Sequence, residues 1–368
     1  MGPLMLPSLF LAGFECSTHR RPDGVRLDLV RSTGHEALAL EDYRACAALG
    51  LRGVRDGLRW HLIETAPGVY DWSSWRPMLE AAQEAGVEMI WDLFHYGSPD
   101  HVDQGGEGFA DALAGFAAEA ARVHREVTGT SLFATPVNEI SYFAWAVRTG
   151  YFPAAGPDTP GWFKRQLVRA GLAAVAAMRA VDPGCRFAWA EPLINVAPAS
   201  PGESESAQRA NDAQFEGLDA ILGRTEPDLG GTPDAADLIG LNYYPENQWH
   251  HGGGPIPLGH PDYRPLADLL EEAHRRYRKP LYLAETGAHG SARAAWLHYV
   301  CAEVRTARAR GVRVEGICLY PVTAYPRWHD DHACEVGLFS APTADRGREV
   351  DRAVADEIAR QQHLFTEA

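Results

Sequence analysis

Two glutamates in the 368-residue chain each stand at the end of a short apolar run, Glu139 in Thr135-Pro-Val-Asn-Glu139 and Glu285 in Leu283-Ala-Glu-Thr-Gly287. Two carboxylates in opposite protonation states can split a glycosidic bond, because one must protonate the leaving oxygen while the other meets an oxocarbenium-like carbon. Further polar and aromatic residues close the other apolar runs: Glu15, Arg55 with Trp60, His95, Asn138, Glu191, Asn242-Tyr243-Tyr244 and Tyr320. Amide, imidazole and guanidinium groups suit sugar hydroxyls, and aromatic rings suit the apolar faces of a sugar. Any one of these glutamates could equally be a structural partner of Arg55. The whole set is harder to explain in that way. Burying such groups unpaired costs on the order of kilocalories per mole each, and function is the usual reason to bear it.

The runs that deliver these residues are 9–15, 53–60, 87–94, 132–139, 186–193, 238–245, 281–287 and 316–322. They are near-continuously apolar, as parallel strands covered on both faces are. Between them, 36–49, 75–85, 109–127, 161–181, 265–278 and 292–310 carry apolar residues at helical spacing. Glycines at Leu49-Gly50, Ala85-Gly86 and Arg310-Gly311 end three of these helices just before a strand. The alternation predicts one (β/α)8 TIM barrel over residues 1–368. Short links follow the helices, whereas long Gly/Pro/His/aromatic-rich stretches (95–106, 140–160, 194–206, 245–264 and 323–347) follow strands. In such a barrel those are the loops of the C-terminal face, where active sites are built. The polar stretch 199–206 (ASPGESES) reads as a mobile loop.

Composition narrows the function. A formal net charge of −15 without a lysine-arginine block argues against nucleic acid or an anionic membrane as partner. Residues 1–13 are apolar but lack a basic leader and contain Pro3 and Pro7, a poor signal peptide. No run has the length of a membrane span. Six scattered cysteines without C-x-x-C spacing suit a reducing compartment, so a cytoplasmic location is expected. No cofactor or metal is expected. His329-Asp-Asp-His332 reads as a solvated loop rather than a ligand set, and His250-His251 and His289 as subsite or surface histidines. The glycine-rich stretch 252–257 reads as a rim loop, since no helix pattern begins directly after it.

The glutamate motifs resemble the acid/base and nucleophile motifs of clan A glycoside hydrolases, family 1 in particular. Residues 54–63 (VRDGLRWHLI) with Pro67-Gly-Val-Tyr-Asp-Trp72, Asp92-Leu-Phe-His-Tyr96 with Pro99, and 237–244 (DLIGLNYY) are similar to that family's second-, third- and sixth-strand motifs. The resemblance implies a retaining β-glycosidase, with Glu139 as acid/base and Glu285 as nucleophile, their carboxyl groups about 5 Å apart. It also implies that Asn138 donates to the sugar 2-hydroxyl, that Arg55 keeps Glu285 ionised, and that His95 contacts hydroxyls. One of the two adjacent tyrosines, Tyr244 by preference, would hydrogen-bond Glu285, with Asn242 beside it in the binding set.

Three positions depart from the family pattern: His19 stands for a glutamine, Tyr320 for a tryptophan, and Arg327 for a hydroxyl-holding glutamate, with Trp328 retained. An arginine fork suits an anionic sugar; the alternative is that Arg327 pairs with Asp330 or Asp331. The substrate is expected to be a small carbohydrate or glycoside. A transglycosidase of the same fold and a non-catalytic carbohydrate-binding barrel are the competing readings. A metal-dependent barrel enzyme would need ligand clusters at successive strand ends. Nothing in the sequence bears on the oligomeric state.

Overall fold

Aliphatic runs of this length, bounded by glycine and proline, favour strands buried on both faces. The computed structural model describes residues 5–153, 155–157, 159, 161–343 and 347–367. The runs form strands β1 Phe10–Gly13, β2 Gly53–Gly57, β3 Glu88–Asp92, β4 Phe133–Thr135, β5 Arg186–Pro192, β6 Leu238–Asn242, β7 Leu281–Thr286 and β8 Val314–Leu319. Each pairs in parallel with the next, and β8 returns to β1 with Cys318 opposite Leu11, closing a barrel.

Helices cover the outside: α1 His35–Ala48, α2 Arg76–Ala85, α3 Phe109–Thr128, α4 Ile140–Arg148, α5 Trp162–Val181, α6 Ser204–Ala213, α7 Glu216–Ile221, α8 Leu266–Tyr277, α9 Arg293–Ala309 and α10 Arg352–Glu367. Every strand is followed by at least one helix, so the architecture is a (β/α)8 TIM barrel. Gly86, left-handed at φ 68°, caps α2 as its place in the sequence requires. The stretch expected as a mobile loop is instead the turn Pro201–Glu203 running into α6. Its residues are polar because this helix keeps only Ala207 fully buried, which leaves no apolar stripe to read.

The barrel interior is layered. Leu6, Leu11, Ile90, Phe133, Ala188, Leu238, Tyr282 and Cys318 fill it with apolar side chains, each large aliphatic one worth ~1.5–3 kcal/mol of burial. Towards the strand C-termini the filling becomes ionic, with Arg55 and Asp92 both fully buried. Strand β7 shifts register between Leu283 and Glu285 against β6, and again before Thr286 against β8. Such an irregularity re-aims a side chain at the rim of a sheet, here Glu285. All six cysteines are buried and unpaired. Among the described residues no helix is long and apolar enough to cross a membrane.

Candidate active site

The strand C-termini open into a cavity of about 1480 Å³, with Glu15, His95, Tyr96, Glu139, Tyr244, Glu285, Tyr320 and Trp328 on its wall. Further out it is lined by Tyr142, Trp145, Ile194 and Trp249 together with charged residues such as Arg148, Lys164 and Glu216.

Beneath the floor lies Arg55, brought there by β2. Its Nε and Nη2 donate to the two oxygens of Asp92 at 3.0 and 2.7 Å. Nη2 also donates to Asn138 Oδ1 at 2.6 Å, and Nη1 to Glu285 Oε1 at 2.7 Å and the Ala284 carbonyl at 3.2 Å. All five N–H groups of the guanidinium are therefore used. Tyr244 donates to the other Glu285 oxygen at 2.9 Å. The arginine thereby fixes the amide of Asn138: Oδ1 faces Arg55, so Nδ2 donates to the Tyr96 hydroxyl at 3.0 Å and meets His95 Nε2 at 3.0 Å. Nε2 must then offer its lone pair, and the His95 proton sits on Nδ1, 3.0 Å from Asp92. Burial pushes the His95 pKa down, but Asp92, Glu15 and Glu285 outweigh it and raise it; the Asn138 amide opposes the second proton.

Tyr96 completes the connection by donating to Glu139 Oε2 at 2.5 Å. A continuous chain of hydrogen bonds, Glu139–Tyr96–Asn138–Arg55–Glu285, thus joins the two glutamates. Tyr96 and Glu139 both hold left-handed backbone, φ 71° and 46°, an uncommon and costly conformation that clusters at functional sites. Glu139 immediately precedes α4, whose start is tied down by Glu191 accepting from the Ser141 N–H at 3.0 Å. Glu191 is buried and is not among the cavity-lining residues; burial raises its pKa to about 7.

The two lining glutamates differ in their company. Burial raises the pKa of each, and their proximity raises that of Glu285 further. Arg55 pulls Glu285 back towards ionisation by direct contact. Glu139 has no cation in contact; Tyr96, Asn242 and the field of His95 lower it in part, and Glu191 raises it. Asn242 stands beside Glu139 closely enough to act on it, yet neither atom of its amide makes a well-aligned hydrogen bond among the described residues. Two buried carboxyls thus share one cavity and titrate together, the pKa of Glu285 being raised to about 7 and Glu285 alone of the two touching Arg55.

Six residues of the expected catalytic and sugar-binding set face the cavity: Glu139, Glu285, His95, Tyr244, Tyr320 and Trp328. Arg55, Asn138 and Asn242 lie buried below it. Two stand apart. His19 is buried behind the wall, its ring 4.3 Å from Phe152 and 4.8 Å from Trp328, and it borders a separate cavity of about 210 Å³. Burial lowers its pKa to about 3, so the ring is neutral. Arg327 is more than half exposed, away from the cavity lining, with its guanidinium 3.7 Å from Asp330.

Residues to which the sequence reading gave no role are Tyr96 and Asp92, while Glu15, named there among the strand-end residues, lines the cavity. Asp92 lies three residues before His95, and a carboxylate ending a buried strand calls for a cation. Cys16, Asp92 and His95 are close enough together for a metal, but Arg55 occupies both Asp92 oxygens and would repel a cation. His329 bonds Tyr151 and His332 turns to Asp330, so these two histidines do not converge.

No family model matches the sequence, and no curated protein matches it significantly. Solved structures do match its fold. A hyperthermophilic β-glucosidase is similar with a TM-score of 0.76 at 15% identity, over 95% of this chain and 99% of that one. The family 1 β-glucosidase of Thermotoga maritima gives 0.75 at 16% identity, over 96% and 98%. The β-glycosidase BGL167 gives 0.73 at 18% identity, over 90% and 87%. The Thermotoga β-glucosidase has been solved in complex with azafagomine and with deoxynojirimycin. At these identities the likeness is one of fold.

Proposed function

We propose that this protein is a retaining β-glycosidase of the family 1 type, acting by double displacement with Glu285 as nucleophile and Glu139 as acid/base. The observation that carries the reading is the chain of hydrogen bonds running from Glu139 through Tyr96, Asn138 and Arg55 to Glu285. It holds two buried carboxyl groups at one cavity and sets Arg55 against Glu285 but not against Glu139.

The chemistry follows from that inequality. Glu285, ionised by Arg55 and hydrogen-bonded by Tyr244, attacks the anomeric carbon as Glu139 transfers its proton to the departing oxygen. The glycosyl ester so formed has no negative charge on Glu285, which removes one field opposing ionisation of Glu139. Glu139 then takes a proton from water, and the water oxygen displaces the ester. Two displacements at one carbon restore the configuration. Asn138, with its Nδ2 turned to Tyr96 and His95, positions that pair rather than reaching the sugar directly. Tyr320 on the wall, with the His95 ring beside it, faces the hydroxyls.

Two measurements test this. Aryl β-glycosides should be hydrolysed with the β-anomer as first product by NMR, and an α-anomer would mean that no covalent intermediate forms. In Glu139→Ala, glycosides with poor leaving groups should lose about 10²–10⁴-fold in rate, whereas nitrophenyl glycosides, which depart unaided, should lose far less in their first step. A uniform loss across leaving groups would take the acid/base role away from Glu139.

A further inference from the structure

Glu15 is a third carboxylate on the cavity wall, contributed from just beyond β1 and 95% buried by its 5% exposure. Its Oε1 accepts from the Ser17 N–H at 3.1 Å and the Ser17 hydroxyl at 2.5 Å. Among the described residues Oε2 receives no hydrogen bond, and it is not shut off from the cavity. Among the described residues no cation hydrogen-bonds it, although the field of His95 partly offsets its burial. The five N–H groups of Arg55 are consumed by Asp92, Glu285, Asn138 and the Ala284 carbonyl, and both nitrogens of His95 by Asp92 and Asn138. Of the cations lining the outer cavity, Lys164 is paired with Glu216 and Arg148 is exposed on the rim.

The floor therefore carries three carboxylates that can ionise, Glu15, Asp92 and Glu285, against two cations at most, Arg55 and His95. A sugar entering the cavity drives water out and leaves the Glu15 charge poorly solvated. Hydroxyl groups can satisfy its lone pairs but not its charge, whereas an ammonium group does both. We propose that Glu15 is a specificity-determining residue that receives a positively charged amino group on the sugar, making amino-sugar β-glycosides the preferred substrates. This rests on the glycosidase reading above. Burial raises the Glu15 pKa, and a bound ammonium supplies the counter-charge that lets the carboxyl ionise.

The test compares 4-nitrophenyl β-glycosides carrying a primary amine at C2, C3, C4 or C6 with their hydroxyl parents. At least one amino glycoside should exceed its parent in kcat/KM by about 10-fold or more, the size of a charge-assisted hydrogen bond. Glu15→Gln, which keeps the shape and removes the charge, should lower that ratio by about the same factor. Parents that are cleaved as well as every amino analogue, in wild type alone, overturn the proposal without any need for the variant. If no glycoside of either kind is cleaved, the glycosidase reading fails instead. Calorimetric binding of the free amino sugars then decides: tighter binding with the amine, weakened about 10-fold by Glu15→Gln, upholds the role of Glu15, and indifference to the amine ends it.

Discussion

Glu285→Gly or Glu285→Ala is expected to lower kcat by ~10⁴-fold or more on aryl β-glycosides, with secondary structure and Tm close to wild type. The carboxylate is the group whose charge Arg55 and Tyr244 are arranged to hold, and among the described residues no other shares both contacts. Its removal opens a space beside the Arg55 Nη1 that faces the cavity, so the guanidinium regains solvent instead of being left dry. That space suits a small anion. Azide or formate should partly restore turnover of substrates with good leaving groups, and because azide attacks once from the face Glu285 vacates, the product should be the α-glycosyl azide. A β-glycosyl azide would place Glu285 on the leaving-group side and exchange the two roles; undiminished turnover would remove it from the chemistry.

What the sequence made legible follows from which constraints are local. Strand runs are readable because β-strands buried on both faces must be apolar throughout, and the long stretches after them mark the C-terminal face. Glu139 and Glu285 are readable because a carboxylate at the end of an apolar strand is costly without a purpose. Helices α4 and α6 are not, since α4 lies in a loop-like aromatic stretch and α6 buries almost nothing. Tyr96 escapes for a different reason. A tyrosine beside a buried histidine looks like core packing until its partner, Glu139, is brought to it by the adjacent strand β4.

His19 and Arg327 show the limit of reading a position by alignment to a pattern. Both occupy places where other side chains would hold hydroxyls, yet one lies behind Trp328 and the other pairs in the direction of solvent. The loop after β8 is pinned by the short antiparallel pair Tyr325–Pro326 with Ala333–Cys334, and the Arg327 N–H is spent on the His332 carbonyl. Its backbone is thus aimed outward, and an anionic sugar loses the cation that would have favoured it. The floor group left without a cation in hydrogen-bond contact is a carboxyl, Glu15, a strand-end residue whose neighbours gave no hint of being fully engaged elsewhere.

Arg55→Met is expected to destabilise the fold by on the order of 3–5 kcal/mol at neutral pH, because it leaves Asp92 and Glu285 buried without their cation. Burial pushes the Asp92 carboxyl up, but Arg55 and the His95 hydrogen bond overcome this and hold it below its ordinary value. A carboxylate with a depressed folded-state pKa contributes stability that is present above its unfolded value and is lost as pH falls through the folded one. Without Arg55 the sign reverses: burial dominates, the folded-state pKa rises above the unfolded one, and the ionised group becomes a penalty at neutral pH. The gap in unfolding free energy between wild type and Arg55→Met should therefore be widest near neutrality and shrink as both carboxyls protonate in acid. Denaturant titrations between about pH 4 and pH 8 would read it. A gap that stays constant over that range would mean that Arg55 supports the barrel through packing against Tyr320 rather than through charge. Arg55→Lys separates the two further. It keeps the charge but has three donors for partners that now take five, so it should recover much of the stability while leaving kcat/KM depressed by roughly 10²-fold, since Asn138 and Glu285 can no longer be held together in register.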